Sequence, residues 1–329
     1  MIKRRCLISG ISGQSGSFLA EYLLSLGYEV FGIVRRHSVS ENQDNRLHSV
    51  RDKIETFYGD TTDPYSLAKI MREVQPDEIY HLAAQSHVRV SFDVPAYTAQ
   101  ANALGTLHML EVFKEEAPGA KFYFAASSEM FGNNTESDGS QCETTRMDPV
   151  SVYGCTKVFG YNLARHFRRA YGLFICNGIL FNHESPRRGS NFVTNKVVKA
   201  AVDIHLGRQD NLYLGNLSAC RDWGHARDYI RAMHLMLQHD VADDYVVATG
   251  KSHSVRDLCE YVFNKLEMDW HDFVRVDPKY MRAEELEFLM GDARKIKNTL
   301  GWEPHYTFES MLDEMIEYWL VKSYIPEGE

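Results

Sequence analysis

Short apolar runs rich in β-branched and aromatic residues alternate along the first half of the chain with stretches whose apolar residues recur every three or four positions. The runs are Lys3 to Ser9, Tyr28 to Val34, Ile54 to Tyr58, Glu78 to Leu82 and Lys121 to Ala125. Ser15 to Ser25, Pro64 to Val74 and Pro95 to Glu116 carry the helical spacing. Strands alternating with helices in this way predict a parallel sheet covered on both faces, an open, doubly wound α/β fold. A long helix is predicted from about Val152 to Tyr171, followed by a β-rich run from Leu173 to Phe181. There the regular alternation stops. The segment Asn182 to Asn216 is richer in Pro, Arg, Gly and Asn, and the chain after about residue 250 mixes helices with charged loops. Between them, Asp228 to Gln238 reads as a helix and Tyr245 to Thr249 as one more buried strand, a return to the first domain. The predicted division is therefore residues 1–182 plus a return segment at about 222–249 in one domain, and about 183–221 with 250–329 in a smaller α/β domain. No internal repeat or Pro/Ser linker separates the two, so they should pack closely.

Composition narrows the partners. The chain has 329 residues, enough for roughly two domains, and a formal net charge of -9. That balance argues against nucleic acid or an anionic membrane as the main partner and leaves room for local basic pockets that take small anions. No window approaches the roughly 18 consecutive apolar residues of a membrane helix. The basic start, Met1-Ile2-Lys3-Arg4-Arg5, runs straight into Cys6-Leu7-Ile8-Ser9-Gly10, too quickly broken for a signal peptide, so a cytoplasmic address is expected. The six cysteines stand singly and the 14 histidines form no paired metal motif, so no metal is expected.

Directly after the first predicted strand stands Gly10-Ile11-Ser12-Gly13-Gln14-Ser15-Gly16, a Gly-x-x-Gly-x-x-Gly spacing that opens a helix. Glycines there allow a sharp turn, close approach of a pyrophosphate and tight packing of helix on strand, and the helix start supplies free N–H groups for phosphates. The position predicts a Rossmann-type dinucleotide site. Where the second strand ends, a carboxylate would suit the 2′-hydroxyl of NAD, and the chain instead reads Arg35-Arg36. Guanidinium forks match a 2′-phosphate, so the expected cofactor is NADP. Asp60, followed by Thr61, is placed to accept from the adenine amino group, and Leu82-Ala83-Ala84-Gln85-Ser86 after the fourth strand supplies small residues beside the cofactor.

On the long helix Tyr153 and Lys157 are four residues apart and therefore share a face. A cation near the phenol is expected to lower its pKa and make Tyr153 a general base. Ser127 should point at the site from the end of the fifth strand, with Glu129 two residues on. A simple reductase or epimerase needs the hydroxyl, phenol and ammonium but no second base. A carboxylate beside the substrate suggests removal of a carbon-bound proton and elimination of water.

Taken together, these residues make the chain resemble the extended short-chain dehydrogenase/reductases and, more narrowly, the GDP-mannose 4,6-dehydratase family. The most specific stretches are Gly178-Ile179-Leu180-Phe181-Asn182-His183-Glu184-Ser185-Pro186-Arg187-Arg188-Gly189 and Arg221-Asp222-Trp223-Gly224-His225-Ala226-Arg227-Asp228-Tyr229. The resemblance implies an internal redox cycle that consumes no NADP, with Tyr153 taking the C4 hydroxyl proton, Glu129 the C5 proton, and Ser127 helping the C6 hydroxyl leave. It implies that Lys157 holds the nicotinamide ribose, and that Tyr97, His183 and Arg188 lie on the cofactor side. The smaller domain is then the sugar-nucleotide domain, with Asn182, Val193, Lys196, Leu214 and Gly215 along the GDP-sugar. Arg221 and Arg282 would meet its diphosphate, with Glu285 close by and Ser86 also facing substrate. A homo-oligomer, dimer or tetramer, is implied as well, with Arg35, Arg36 and the loop to Asn45 reaching a neighbour.

Three departures from the family pattern stand out. Ser15 stands where the family loop usually has Asp, Ser127 where it has a catalytic Thr, and Arg282-Ala283-Glu284-Glu285-Leu286 where it has Arg-Pro-Thr-Glu-Val. The last alters the wall near the sugar and keeps GDP-D-glycero-D-manno-heptose open as an alternative substrate. An idle NADP sensor on the same fold has no use for Ser127, Glu129, Tyr153 and Lys157 together.

Overall fold

The computed structural model describes residues 3–36, 46–281 and 284–323. Its frame is a seven-stranded sheet in the order β3 (Glu55–Tyr58), β2 (Glu29–Val34), β1 (Arg5–Ser9), β4 (Glu78–His81), β5 (Lys121–Ser127), β6 (Ile175–Leu180) and β11 (Asp244–Val247). Every neighbouring pair in it is parallel. Side chains leave the sheet alternately to two cores. Leu7, Ile79, Phe122, Phe124, Ile175 and Val246 enter one, while Cys6, Ile8, Tyr80, Tyr123, Cys176 and Tyr245 enter the other. Both faces are dry, which is why the strands read as continuous apolar runs. The expected doubly wound sheet is the one observed, with α2 (Pro64–Val74), α5 (Gly105–Glu116) and α6 (Val152–Tyr171) supplying residues to the first core. Helices α1 (Gln14–Ser25) and α8 (Ala226–Gln238) pack together and supply the second.

The winding reverses at β1, which pairs with β2 on one side and β4 on the other. Loops leaving the carboxyl ends of β1 and β4 must therefore diverge, and the crevice between them is where such a sheet takes its ligand.

Two stretches differ from the sequence pattern. Pro95 to Glu116, which carries helical spacing throughout, is broken into α4 (Pro95–Thr98), a wide π-type turn at Ala99–Leu104 and α5, with a further short helix α3 at Val88–Asp93. The wide turn follows from Asn102, a buried polar residue whose amide must find partners and finds them outside the helix. The other is Val193–His205, a helix (α7) inside the segment where the alternation stops. Its Val197, Val198, Ala201 and Ile204 are buried at helical spacing, and the Pro, Arg, Gly and Asn that colour the segment lie on either side of it.

Helix α7 opens a third apolar core, closed by β8 (Leu212–Leu214), α9 (Val255–Lys265) and α12 (Phe308–Ser323). Short ladders link β7 (Asn182–Glu184) with β10 (Trp223–His225), β9 (Cys220–Arg221) with β12 (His253–Ser254), and β8 with β13 (Val274–Val276), which follows the short helix α10 (Trp270–Phe273). Helix α11 (Arg294–Leu300) packs back against β11.

Asp222, between β9 and β10, joins this lobe to the main sheet. One carboxylate oxygen accepts from the backbone and hydroxyl of Thr249 at 2.9 and 2.7 Å, and the other from the N–H groups of Gly250 and Gly291 at 2.9 and 3.2 Å. Burial pushes this carboxyl up to about 6 against those four donors. An amide in its place turns its own N–H atoms towards backbone donors. Asp222→Asn is therefore expected to cost about 2–4 kcal/mol, seen as a lower urea midpoint by circular dichroism.

Candidate active site

The crevice at the reversal of the sheet is a cavity of about 840 Å³, walled on one side by the sheet and on the other by the smaller lobe. Its floor is the glycine loop. Gly10 has φ +73°, and a Cβ there would lie 2.9 Å from the backbone nitrogen of Ala83. At Gly16 a Cβ would lie 2.3 Å from the carbonyl oxygen of Gly10, so the loop closes on itself only without side chains. Gly10, Ser12, Gly13, Gln14, Ser15 and Gly16 all line the cavity at the start of α1.

Residues 82–86 form the next wall, and their shape has two causes. The Ser9 hydroxyl accepts from the N–H groups of Leu82 and Ala83, each at 3.2 Å, and lies 2.8 Å from Nδ1 of His81. Asn102, in the wide turn, accepts from the Gln85 N–H at 2.7 Å and donates to the Gln85 carbonyl at 3.0 Å, with Thr156 of α6 at 3.2 Å. Asn102 thus pins the loop to the helix that bears Tyr153. Sequence reasoning passed over it, although an amide inside a helical stretch is a poor helix former and was a usable signal. Gln85 spends its side chain on Thr98 and on His87, so its part is to shape the loop.

Arg35 lines the cavity with Tyr97, its guanidinium donating to the Tyr97 hydroxyl. Arg36 does not line it; its guanidinium lies 5.6 Å from the Tyr58 ring centre on β3. Asp60 and Thr61 line the cavity, and one Asp60 oxygen already accepts from the backbone and hydroxyl of Thr62. Across the cavity stand Asn182, His183, Arg188, Val193, Lys196, Leu214, Gly215, Arg221 and Glu285. Arg188 is ion-paired with Glu184 at 3.0 Å, and Arg221 with Glu285 at 3.5 Å. Lys196 donates to the Tyr213 carbonyl at 2.6 Å. Arg282 and the loop from residue 37 to Asn45 lie outside the described residues.

The reactive groups meet at the carboxyl end of β5. Ser127, the last residue of that strand, caps a tight turn at Ser128–Met130 by accepting from the Glu129 N–H at 3.3 Å. Helix α6 starts hard against the turn, because a Cβ on Gly154 would lie 2.8 Å from the Glu129 carbonyl oxygen. Ser151 caps the helix by accepting from the Gly154 N–H at 3.0 Å. Tyr153 is thereby held beside Ser127 on the wall of the cavity. The Glu129 side chain is buried, and its Oε2 has no hydrogen-bond partner among the described residues.

The electrostatics correct one expectation. Burial pushes the Tyr153 phenol up to about 12, with Glu129 adding to the rise and Ser127 and Arg188 opposing it. Lys157 is itself pushed down to about 8 by burial. Its ammonium donates to the Ala125 carbonyl at 2.7 Å and lies 5.7 Å from the Tyr153 ring centre. Helical spacing puts both residues on one face, but the nearest acceptor for the ammonium is the strand, not the phenol. His81 below them is held neutral, pushed down to about 3 by burial and by Lys157.

A glycine loop at a helix start, a run of small residues opposite it and guanidinium groups at both ends fit a dinucleotide whose pyrophosphate rests on backbone N–H groups. The second half of the cavity leaves room for another ligand against Ser127, Glu129 and Tyr153. Hydroxyl, phenol and carboxylate so placed can move protons to and from both oxygen and carbon. Among the described residues no group of His, Cys, Asp and Glu could hold a metal ion, and no helix is long and apolar enough to cross a membrane.

Comparison with known proteins agrees with that geometry. A family model described as GDP-mannose 4,6 dehydratase matches residues 7–315. The chain is 46% identical over 325 residues to a protein of Arabidopsis thaliana named GDP-mannose 4,6 dehydratase 2, covering 96% of this chain and 86% of that one. It is 45% identical over 335 residues to the Homo sapiens GDP-mannose 4,6 dehydratase, covering 94% and 90%. Among solved structures it is similar to a dTDP-glucose 4,6-dehydratase of Streptomyces venezuelae with NAD bound, at a TM-score of 0.83 and 25% identity over 96% of each chain.

Proposed function

The chain belongs to the GDP-mannose 4,6 dehydratase family, and from that premise we propose that it converts GDP-mannose to GDP-4-keto-6-deoxymannose and water by an internal redox cycle. The enzyme is a hydro-lyase. Its cofactor is a nicotinamide dinucleotide, and Arg35 at the end of β2 supports NADP as the form it takes. Held by the glycine loop and Arg35, that cofactor would supply reversible hydride acceptance with no net change in its oxidation state over the cycle.

The chain's own residues handle the protons. Tyr153 removes the proton of the C4 hydroxyl, with the nearby Ser127 favouring the ionised phenol. The ketone formed there acidifies the hydrogen on C5, and the Glu129 carboxylate removes it. Glu129 and Ser127 then assist departure of the C6 hydroxyl as water. Lys157 holds the nicotinamide ribose beside Tyr153. Arg221 and Lys196 serve the nucleotide diphosphate from the smaller lobe. The observation that carries this reading is the buried Glu129 carboxylate, its Oε2 unpartnered among the described residues, in the same cavity as Ser127 and Tyr153. Reduction or epimerisation alone leaves such a group without a task.

Six cysteines without disulfides suit a reducing compartment, which supports the cytoplasm as its location. Family membership supports a homodimer or homotetramer.

Purified protein incubated separately with GDP-mannose and with GDP-manno-heptose, without added reductant, should lose the mass of one water from GDP-mannose. Loss from the heptose compound alone overturns the sugar, and loss from neither overturns the reaction.

A further inference from the structure

His183 is the middle residue of β7, and its imidazole lies flat on Tyr229 of α8 with ring centres 4.7 Å apart. Its Nδ1 is 3.1 Å from the Phe181 carbonyl oxygen, and its Nε2 is 2.8 Å from the Ser15 hydroxyl. A carbonyl oxygen only accepts, so Nδ1 carries the proton. Nε2 is then a lone pair, and the Ser15 hydroxyl donates to it. Beside Ser15, Gln14 donates to the His183 carbonyl at 2.9 Å and accepts from the Ser185 hydroxyl at 2.7 Å. The first turn of α1 is thus stitched to the segment that leads from the main sheet into the smaller lobe.

We propose that Ser15 is a positioning residue that fixes His183 as the neutral Nδ1-H tautomer and so locks the glycine loop to β7, keeping His183 protonation out of NADP retention. The inference rests on the reading of this cavity as a dinucleotide site. It deepens that reading at the position where the family pattern has Asp. An aspartate at 15 requires a proton on Nε2, and so creates an imidazolium or reverses the tautomer. It also adds a carboxylate beside the place where the cofactor's phosphates rest.

The surroundings oppose a charge on His183. Arg188 after β7 and His225 on β10 both disfavour the imidazolium, Glu184 is engaged by Arg188, and Tyr229 presents an aromatic face. Gln14 and Ser15 on α1 are uncharged, and Phe181 contributes its carbonyl from the end of β6. Burial, with Arg188, pushes His183 down to about 4.

The test is NADPH affinity by fluorescence titration, with 15N spectra of the histidines in the NADPH complex, over about pH 5.5 to 8. Wild-type protein, Ser15→Ala and Ser15→Asp are compared, with folding checked by circular dichroism. In the wild type His183 should stay the Nδ1-H tautomer throughout, and the dissociation constant should change with pH only as the cofactor's 2′-phosphate ionises at about pH 6. Ser15→Ala should bind NADPH about five- to tenfold more weakly, the size of one lost hydrogen bond. In Ser15→Asp the imidazole should titrate, and affinity relative to the wild type should fall as pH rises, because deprotonation leaves the new carboxylate unpaired near the phosphates. Normal wild-type binding with Ser15→Ala unchanged in affinity and tautomer overturns the inference alone. Failure of the wild type to bind NADPH overturns the reading of the site and the inference with it.

Discussion

Replacing Glu129 with glutamine should lower the rate of water release by about 10²- to 10⁴-fold while the first oxidation still proceeds. The amide fills the same volume but has no basic atom. The fold should be unharmed, because the buried Oε2 makes no hydrogen bond to the described residues that the change removes. With GDP-mannose and stoichiometric NADP, the near-ultraviolet absorbance of the reduced cofactor should therefore rise and persist, where in the wild type it is transient. Mass spectrometry should find the 4-keto sugar with its C6 oxygen still attached. Water release at the wild-type rate in this variant sinks Glu129 as the base.

Tyr153→Phe should block the cycle one step earlier. Loss of a general base costs about 10²- to 10⁴-fold, and here neither reduced cofactor nor water should form. The two variants are thus told apart by absorbance alone. A pH profile adds a second check. The buried phenol sits at about 12, so below that value its base form grows tenfold with each pH unit. Lys157 sits at about 8 and loses its positive charge above it. The wild-type kcat/KM should accordingly climb with pH and break near 8, where Lys157 loses the charge with which it would hold the nicotinamide ribose. The residual activity of Tyr153→Phe should show no such climb. A flat wild-type profile below 8 rules out Tyr153 as the titrating base.

Strands and their order of burial were legible in the chain because a sheet covered on both faces writes apolar runs directly into sequence. The glycine loop was legible because its spacing has a steric cause, visible in the 2.3 Å that a Cβ on Gly16 would leave to Gly10. Helix α7 was hidden by averaging, since its flanks are rich in breakers while Val197, Val198 and Ala201 between them are buried. Within the site, most of the residues named from sequence line the cavity, Arg36 excepted, but sequence did not show which way each turns. Arg36 points to Tyr58, one oxygen of Asp60 is bonded to Thr62, and Lys157 reaches the Ala125 carbonyl. Such orientations depend on the nearest competing acceptor, which no spacing along the chain encodes. Asn102 escaped for a related reason: its partners, Gln85 and Thr156, are distant in sequence on both sides.

Strand β11 comes from residues 244–247, yet it is the outermost strand of a sheet otherwise finished by residue 180. Synthesis therefore exposes an unclosed β6 edge until some sixty further residues, helix α7 among them, have left the ribosome. No single cut of the polypeptide frees either lobe intact. A break between β6 and β11 leaves the larger lobe in two pieces, so limited proteolysis there should yield fragments that stay associated.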